Sequence, residues 1–248
     1  MTKTKLCKSI SIIVSAYNEE KWISQTLESI NRAKNFLSER GGPPAEILVV
    51  DNASTDRTVE VVQALEVEVV QETVRGVAKA RNTGAKAAHG DILIFVDADV
   101  TVPETLFCRV SRLLSDSLCI GGAVDTNYQP ASISVKVYLQ MWRVAGKLLS
   151  MAQGAVQFVR RDAFFSLGGY DETLFIGEDV DFYWRLRKKA RKQGLQVCLI
   201  DDVSVIPSSR RFDQWPLWRT LVWTNPFVAL LFRRRKEFWD GWYRHPPR

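Results

Sequence analysis

The first hundred residues alternate between short apolar runs and longer segments whose apolar residues recur at helical spacing. The apolar runs predict four buried strands, at residues 10–16, 46–51, 67–72 and 91–97. The segments between them predict three helices, at residues 19–39, from 52 onward and at 76–88. Strands that alternate with helices are typical of parallel βαβ units, so this pattern predicts a doubly wound α/β sheet.

The alternation is looser after residue 101. We expect three further helices, near residues 103–115, near 131–151 and from about Asp179 onward. We expect three further strands, near residues 118–126, 154–160 and 195–200. The second half therefore predicts a smaller, less regular subregion beside the βαβ half.

Composition and charge limit the classes to which this protein could belong. The chain has 248 residues, 46% of them hydrophobic and 25% charged, which is ordinary for a globular protein. A net charge of +6 favours anionic partners, but the basic residues are dispersed and no recognition motif for nucleic acid appears, so we expect none. Four scattered cysteines and two histidines disfavour a zinc site. We expect neither a signal peptide nor a spanning helix, and we predict a reducing, cytoplasmic location.

Polar residues follow three of the predicted strands, where ligands of open α/β sheets bind. Neither a dinucleotide fingerprint nor a phosphate-binding P-loop motif is present. Asp97 and Asp99 end the fourth strand and point the same way, so their charges repel unless a cation lies between them. Mg²⁺ and Mn²⁺ accept such carboxylates together with substrate phosphates. The alternative is that the two carboxylates cap the next segment.

A second carboxylate group precedes a basic, amphipathic helix: Glu178, Asp179 and Asp181. Acidic residues at a helix N-terminus are stabilised by the helix dipole, which is the purely structural interpretation. The glycines at 168, 169 and 177 instead predict a closely packed loop that brings the carboxylates into a cleft, where one could act as a general base.

Five motifs occur in order: "SAYNEE", "VVDNASTDRT", "RGVAKARNTGAKAAHGDILIFVDADV", "GGYDETL" and "GEDVDF". Together they resemble the family 2 glycosyltransferases over residues 9 to about 210. The resemblance implies the GT-A fold, a Rossmann-like and mostly parallel sheet with helices on both faces plus a smaller acceptor-side subregion. It implies one domain over 1–211, with a nucleotide-binding half at 1–100 and an acceptor half at 101–211. It also implies an inverting, metal-dependent transfer from a UDP- or GDP-sugar. The absence of a QxxRW motif favours single addition.

The resemblance implies roles for matching positions. Asp99 and Asp97 would bind Mg²⁺ or Mn²⁺, and Asp179 would be the catalytic base. Substrate contacts are implied at Ala16, Tyr17, Glu19, Asp51, Gly76, Arg81, Asp97, Glu178, Arg210 and Arg211. Among these, Asp51 would contact the base or ribose, and the two last arginines the diphosphate.

The last segment, residues 212–248, differs from the rest. It contains five of the eight tryptophans (Trp215, Trp218, Trp223, Trp239 and Trp242) and the basic run 233–236. Aromatic residues beside basic ones suit a membrane interface. We therefore predict peripheral contact of this segment with the inner face of a membrane. The predicted acceptor is a glycan or a lipid-linked molecule. The alternative is a C-terminal helix that packs on the domain.

One rival class shares the fourth-strand motif. "ILIFVDADVT" also fits haloacid-dehalogenase-like phosphatases, where Asp97 would be the nucleophile and Asp99 the acid and base. That family usually opens with this strand, whereas three βα units precede it here.

Overall fold

The computed structural model describes residues 9–149, 154–235 and 237–239. Eight strands are present in this part of the chain: β1 Ile10–Ala16, β2 Ala45–Asp51, β3 Glu68–Gln71, β4 Ile92–Asp97, β5 Val100–Thr101, β6 Cys119–Thr126, β7 Val156–Arg160 and β8 Gln196–Pro207. The helices are α1 Ile23–Glu39, α2 Thr58–Ala64, α3 Val77–Ala87, α4 Leu106–Ser115, α5 Ile133–Leu149, α6 Arg161–Ser166, α7 Glu178–Lys192, α8 Arg210–Gln214, α9 Leu217–Trp223 and α10 Pro226–Phe232.

The described strands form one sheet in the order β3-β2-β1-β4-β7-β6-β8-β5. The first four run parallel to one another, as the βαβ pattern predicts. Strand β7 is antiparallel to both β4 and β6, and β5 is antiparallel to β8, so the second half of the sheet is mixed. The apolar pattern of a strand sets its burial but not its direction, which is why the sequence did not reveal this reversal.

Helices cover both faces of the sheet, as predicted. One apolar cluster packs α1 and α4 against the strands through residues such as Leu27 and Phe107. The other packs α3, α6 and α7 against the opposite face through Phe164 and Phe182. Strand β4 is buried on both faces, with Phe95 and Ile94 in opposite clusters, so its end is held rigidly between the two layers.

Several element boundaries differ from the sequence-based expectations. Helix α1 begins at Ile23 rather than at 19, and α2 begins at Thr58 rather than near 52. Side chains in these two loops satisfy backbone groups that a helix would otherwise use, so each helix starts later. Strand β8 is longer than expected, and the short elements β5 and α6 were not predicted. The last residues of the helix expected at 131–151 lie outside the described part.

The C-terminal segment packs against the domain. Phe212 of α8 is buried with Val135 and Leu139 of α5. Trp215 and Trp239 are buried, and both rings contact Trp223. Trp242 lies outside the described residues. Among the helices that the structure describes, none is long and apolar enough to cross a bilayer.

Candidate active site

The carboxyl ends of β1, β2 and β4 meet at one edge of the sheet. The strand register places Ala16 opposite Asp51, and Ser15 opposite Asp97. Parallel strands bring their C-terminal loops to the same edge, so the polar residues predicted from three separate motifs lie together. The turn after β4 is fixed to α1, because the Thr26 hydroxyl donates a hydrogen bond of 2.8 Å to the carbonyl of Ala98.

Side chains join the loops that follow β1 and β2. The side-chain oxygen of Asn18 accepts hydrogen bonds from the backbone N–H groups of Thr55 (2.7 Å) and Asp56 (3.3 Å). Asn18 adopts a positive φ of 54°, a conformation that asparagine tolerates better than most residues. The buried Asp51 carboxylate accepts the N–H of Ser54 at 3.1 Å. These bonds tie the two loops together on the predicted nucleotide side.

The loop before α3 closes the same edge. Asn52 donates to the carbonyls of Glu72 and Val74, and its oxygen accepts the N–H of Gly76 at 2.7 Å. Gly76 has a φ of 154°, which favours glycine. The exposed Arg75 guanidinium lies 3.7 Å from the centre of the Tyr17 ring. Tyr17 and Gly76 therefore belong to one surface with Asn52, which the sequence placed among the polar residues after the second strand, whereas Arg75 was not identified.

A buried arginine joins the two carboxylate motifs. Arg81 of α3 is 3% exposed, and its Nη2 donates to Asp97 Oδ1 at 2.7 Å. Its Nη1 donates to Glu178 Oε1 at 2.9 Å, and its Nη2 also lies 3.2 Å from the carbonyl oxygen of Gly154. One guanidinium thus brings the end of β4 and the start of α7 into one site. Its role as a substrate contact stays a prediction.

The residue after Arg81 fixes the glycine-rich loop. Asn82 donates to the carbonyl of Tyr170 at 3.0 Å and accepts the N–H of the same residue at 2.9 Å. Gly169 has a φ of 72°, and a Cβ there would lie 2.5 Å from the Asn82 side-chain oxygen. This close packing fixes the loop that leads to α7, whose N-terminus carries Glu178 and Asp179.

A second arginine engages the other carboxylate of the fourth-strand motif. Arg210 is 8% exposed, and its Nη2 lies 3.2 Å from Asp99 Oδ2. Both of its terminal nitrogens also donate to the Glu19 carboxylate. The backbone explains this placement, since the N–H of Ser208, just after β8, donates to the carbonyl of Asp99 at 2.8 Å. Arg210 and Glu19, which the sequence placed in separate motifs, form one ion pair beside Asp99.

Asp179 lies at the edge of this cluster. Its Oδ1 accepts the N–H of Val180 at 2.8 Å, and its backbone carbonyl accepts the side-chain amide of Gln157 at 3.0 Å. Gly154 packs directly against it, because a Cβ at this position would lie 2.3 Å from Asp179 Oδ2. Sequence reasoning missed Gly154, which no pattern distinguished from other loop glycines.

Burial controls the electrostatics of the site. Desolvation, reinforced by the neighbouring Asp179 charge and opposed by Arg81, raises the pKa of Glu178 to about 7. Desolvation likewise raises the pKa of Asp179, again opposed by Arg81. Burial raises the pKa of Asp99 to about 6, opposed by Arg210 and reinforced by Glu19 and Asp97. The two arginines therefore offset part of the rise in pKa that burial causes in these carboxylates.

Tyr128 and Arg211 complete this side of the site. The Tyr128 ring packs edge-on against Phe212, with centroids 4.9 Å apart. Burial raises the pKa of the Tyr128 hydroxyl, and the charges of Asp99 and Asp97 raise it further while Arg211 lowers it. These residues thus lie within electrostatic range of one another, and Tyr128 carried no signal in the sequence.

The donor set restricts which metal could bind. The described residues contain no group of three or more histidine, cysteine or acidic side chains placed to hold an ion. Asp97 and Asp99 offer two carboxylates, which suits Mg²⁺ or Mn²⁺ only when substrate phosphates and water supply the other ligands. The residues fit a cation that arrives with a diphosphate, and they do not fit a self-sufficient metal centre.

Comparison with known proteins identifies the class. The family model described as Glycosyl transferase family 2 matches residues 11–165, more than half of the chain. The chain therefore belongs to glycosyltransferase family 2, a class of sugar-transferring enzymes. This result does not favour the haloacid-dehalogenase alternative.

Two curated relatives are similar over most of this chain. Glycosyltransferase AglE of Haloferax volcanii is 28% identical over 221 residues, 83% of this chain and 68% of its own length. The β-monoglucosyldiacylglycerol synthase of a Synechocystis strain is 28% identical over 207 residues. That alignment covers 76% of this chain but 42% of the synthase, so the chain spans less than half of that relative.

Solved structures show the same GT-A fold. The mannosyltransferase PcManGT of Pyrobaculum calidifontis, in complex with GDP-Man and Mn²⁺, has a TM-score of 0.63 and 22% identity, covering 96% of this chain and 64% of that one. Glucosyl-3-phosphoglycerate synthase of Mycobacterium tuberculosis, in complex with Mn²⁺, UDP and phosphoglyceric acid, has a TM-score of 0.59 and 21% identity, covering 92% and 78%. The GT-A fold predicted from the five motifs is confirmed.

The raised pKa of Glu178 predicts a pH-dependent effect of Glu178→Gln. The folded state holds this proton more tightly than the unfolded chain, so the contribution to stability is lost as pH rises from about 4.3 through about 7. Glutamine carries no such penalty. We expect the melting temperature of Glu178→Gln, relative to wild type, to rise between about pH 5 and about pH 8. Thermal unfolding followed by circular dichroism measures this, and exposed Glu104→Gln is the control. A pH-independent difference would contradict the electrostatic account.

Proposed function

We propose that this chain transfers one sugar from a UDP- or GDP-sugar to an acceptor hydroxyl, with inversion at the anomeric carbon. The observation that carries the proposal is the Arg81 bridge. It joins Asp97, on the predicted donor side, to Glu178, which adjoins the predicted base Asp179. Donor-side and acceptor-side carboxylates thereby share one site, as a direct displacement requires.

The donor would bind along the edge formed by β1, β2 and the loop before α3. Ala16, Tyr17 and Gly76 would line the nucleotide, and Asp51 would contact its base or ribose. Support comes from the shared surface of Tyr17 and Gly76 and from the strand register that sets Ala16 beside Asp51. GDP-Man and UDP are bound in the two structural neighbours described above, which supports a nucleotide-linked donor without choosing between them.

Asp97 and Asp99 would hold Mg²⁺ or Mn²⁺ together with the donor diphosphate. When bound, the cation would neutralise charge on the departing nucleoside diphosphate. Arg210 and Arg211 would supply further positive charge to the diphosphate. Arg210 also contacts Asp99, the carboxylate that the cation would use.

Asp179 would act as the general base. It takes the proton of the acceptor hydroxyl while that oxygen bonds to the anomeric carbon and the bond from this carbon to the diphosphate breaks. Burial raises the pKa of Asp179, which makes it a stronger base than an exposed aspartate. Glu178 would position the acceptor or the loop, since its own carboxylate already binds Arg81.

The acceptor would be a glycan or a lipid-linked hydroxyl at the inner face of a membrane, with contact through residues 212–248. Exposed aromatic and aliphatic side chains on α9 and α10 support this contact. The name of the Synechocystis relative includes a glycolipid, which is consistent with a lipid acceptor.

Two substitutions separate donor binding from transfer. Asp99→Asn should lose metal-dependent nucleotide binding, because one of only two carboxylate ligands is gone. Asp179→Asn should retain that binding and lose transfer by about 10²–10⁴-fold, the usual effect of removing a positioned base. Calorimetric titration of UDP and GDP, with Mn²⁺ and with EDTA, measures the first effect.

Transfer to a panel of glycan and lipid-linked acceptors measures the second. Asp181→Asn is the matched control, because it begins the same helix but binds Arg185 at 2.7 Å and has no predicted catalytic role. Wild-type transfer by Asp179→Asn would exclude Asp179 as the base.

The contact between Arg210 and Asp99 predicts competition with the metal. Without a diphosphate the two carboxylates should hold Mn²⁺ only weakly, but Arg210→Ala should bind it more tightly than wild type, by about fivefold or more, because the competing cation is removed from Asp99. Electron paramagnetic resonance of free Mn²⁺ measures this without any transfer reaction. Arg40→Ala removes the same charge at the end of α1 and should leave the affinity unchanged. Equal or weaker Mn²⁺ binding by Arg210→Ala would show that the guanidinium does not hold the cation's position.

A further inference from the structure

Helix α5 carries an apolar stripe on its outer side. Ile133, Val137, Met141 and Val144 are 79%, 65%, 55% and 59% exposed, and their spacing of four, four and three residues places them on one side of the helix. The opposite side packs into the domain through Val135 and Leu139. The exposed side of a helix on a globular protein is normally polar, so this stripe needs a partner.

Helices α9 and α10 expose a second set of large apolar side chains. Trp218, Phe227 and Leu231 are the most exposed, at 64%, 66% and 76%. The others in this set are Leu217, Leu221, Val222 and Leu230. Sequence reasoning identified the aromatic content of this segment but not the stripe on α5.

The two sets adjoin each other. The Tyr138 hydroxyl of α5 donates to the carbonyl of Leu221 at 3.3 Å and accepts from the Thr224 hydroxyl at 3.2 Å. The Trp142 ring of α5 lies 6.4 Å from the Phe227 ring. Helix α5 therefore lies alongside α9 and α10, and we call the exposed apolar residues of these three helices the apolar face.

The segments that carry the apolar face contribute basic residues and no acidic ones. Residues 127–149 and 214–235 contain no aspartate or glutamate. Their basic residues are Lys136, Arg143, Lys147, Arg219, Arg233, Arg234 and Arg235. Aspartates from other elements pair with four of these: Asp125 with Arg143 and Lys147, Asp181 with Arg233, and Asp171 with Arg234. Lys136, on α5, and Arg235, shortly after α10, are exposed, and Arg234 is exposed as well although it pairs with Asp171.

The apolar side chains and the basic residues together favour an anionic bilayer as the partner of this face. Apolar and aromatic side chains bordered by cations match an anionic bilayer surface, where the rings enter the interface and the cations meet lipid phosphates. A second copy of this chain is a poor fit, because a two-fold contact would set two positively charged faces against each other. The face is also connected to the site, since Phe212, buried against α5, follows Arg210 and Arg211 on α8.

We propose that the apolar face of α5, α9 and α10 docks on a bilayer that contains anionic lipid. This inference rests on the proposed function and deepens it, because it assigns the membrane contact to a surface that includes α5 of the acceptor half. Docking would hold the active site next to the bilayer, where the hydroxyl of a lipid-anchored acceptor is presented. The acceptor class is then an amphiphile in the membrane rather than a free sugar.

Vesicle flotation tests this with the full chain and no substrate. Wild type should float with vesicles of phosphatidylglycerol and phosphatidylcholine and should bind vesicles of phosphatidylcholine alone much more weakly. Met141→Glu and Phe227→Glu should each weaken binding by about tenfold or more, because a charge replaces an apolar side chain that docking would bury in the bilayer. Leu118→Glu, at an exposed apolar residue outside the face, should bind as wild type does.

The remaining outcomes are decisive. Absence of flotation, equal binding to neutral vesicles, or binding that neither variant weakens would overturn the proposal. A wild-type dimer in solution that Met141→Glu dissociates would also overturn it, since a second copy would then cover the face. Calorimetric titration of UDP and GDP on the same samples separates the two claims. Nucleotide binding without flotation refutes docking alone, and flotation without nucleotide binding refutes the proposed donor.

Discussion

The site depends on one buried cation, the guanidinium of Arg81. A charge at 3% exposure is tolerated only when it is paired and hydrogen-bonded, and here Asp97 and Glu178 supply both conditions. The converse also holds, because both carboxylates contact the same guanidinium and would repel each other without it, although Asp97 is the more exposed of the two. The pairing ties the end of a buried strand to the start of α7. The Asn82 contact with Tyr170 then holds the connecting loop.

The other carboxylate of the fourth-strand motif, Asp99, contacts an arginine from a different part of the fold, Arg210. Arg81 approaches from α3, which packs directly on the sheet, whereas Arg210 approaches from α8, a short helix after β8. Asp99 is therefore held by an element that also packs against α5 through Phe212. A single short helix thus connects the proposed metal position with the apolar face. The proposed donor site and the apolar face are built from separate parts of the chain and are linked through α8.

The sequence predicted those features that local patterns determine. Apolar runs located β1, β2 and β4, and the five motifs identified the residues that gather at the sheet edge. Patterns could not determine long-range pairing: Arg210 and Glu19 are 191 residues apart, and no periodicity links them. Gly154 gave no signal either, because its importance lies in a close approach to Asp179 that only the folded chain reveals. The antiparallel direction of β7 could not be predicted either, because an apolar pattern indicates that a strand is buried but not which way it runs.

The central claim is that Arg81 couples the donor-side and acceptor-side carboxylates. The most direct test is the rate of sugar transfer by Arg81→Lys at saturating donor. Lysine keeps the charge but lacks the rigid fork that reaches two carboxylates at once. Our account predicts a fall in the transfer rate of about tenfold or more, with the fold retained by circular dichroism. A rate close to that of wild type would contradict it, because the two motifs would then act without the bridge.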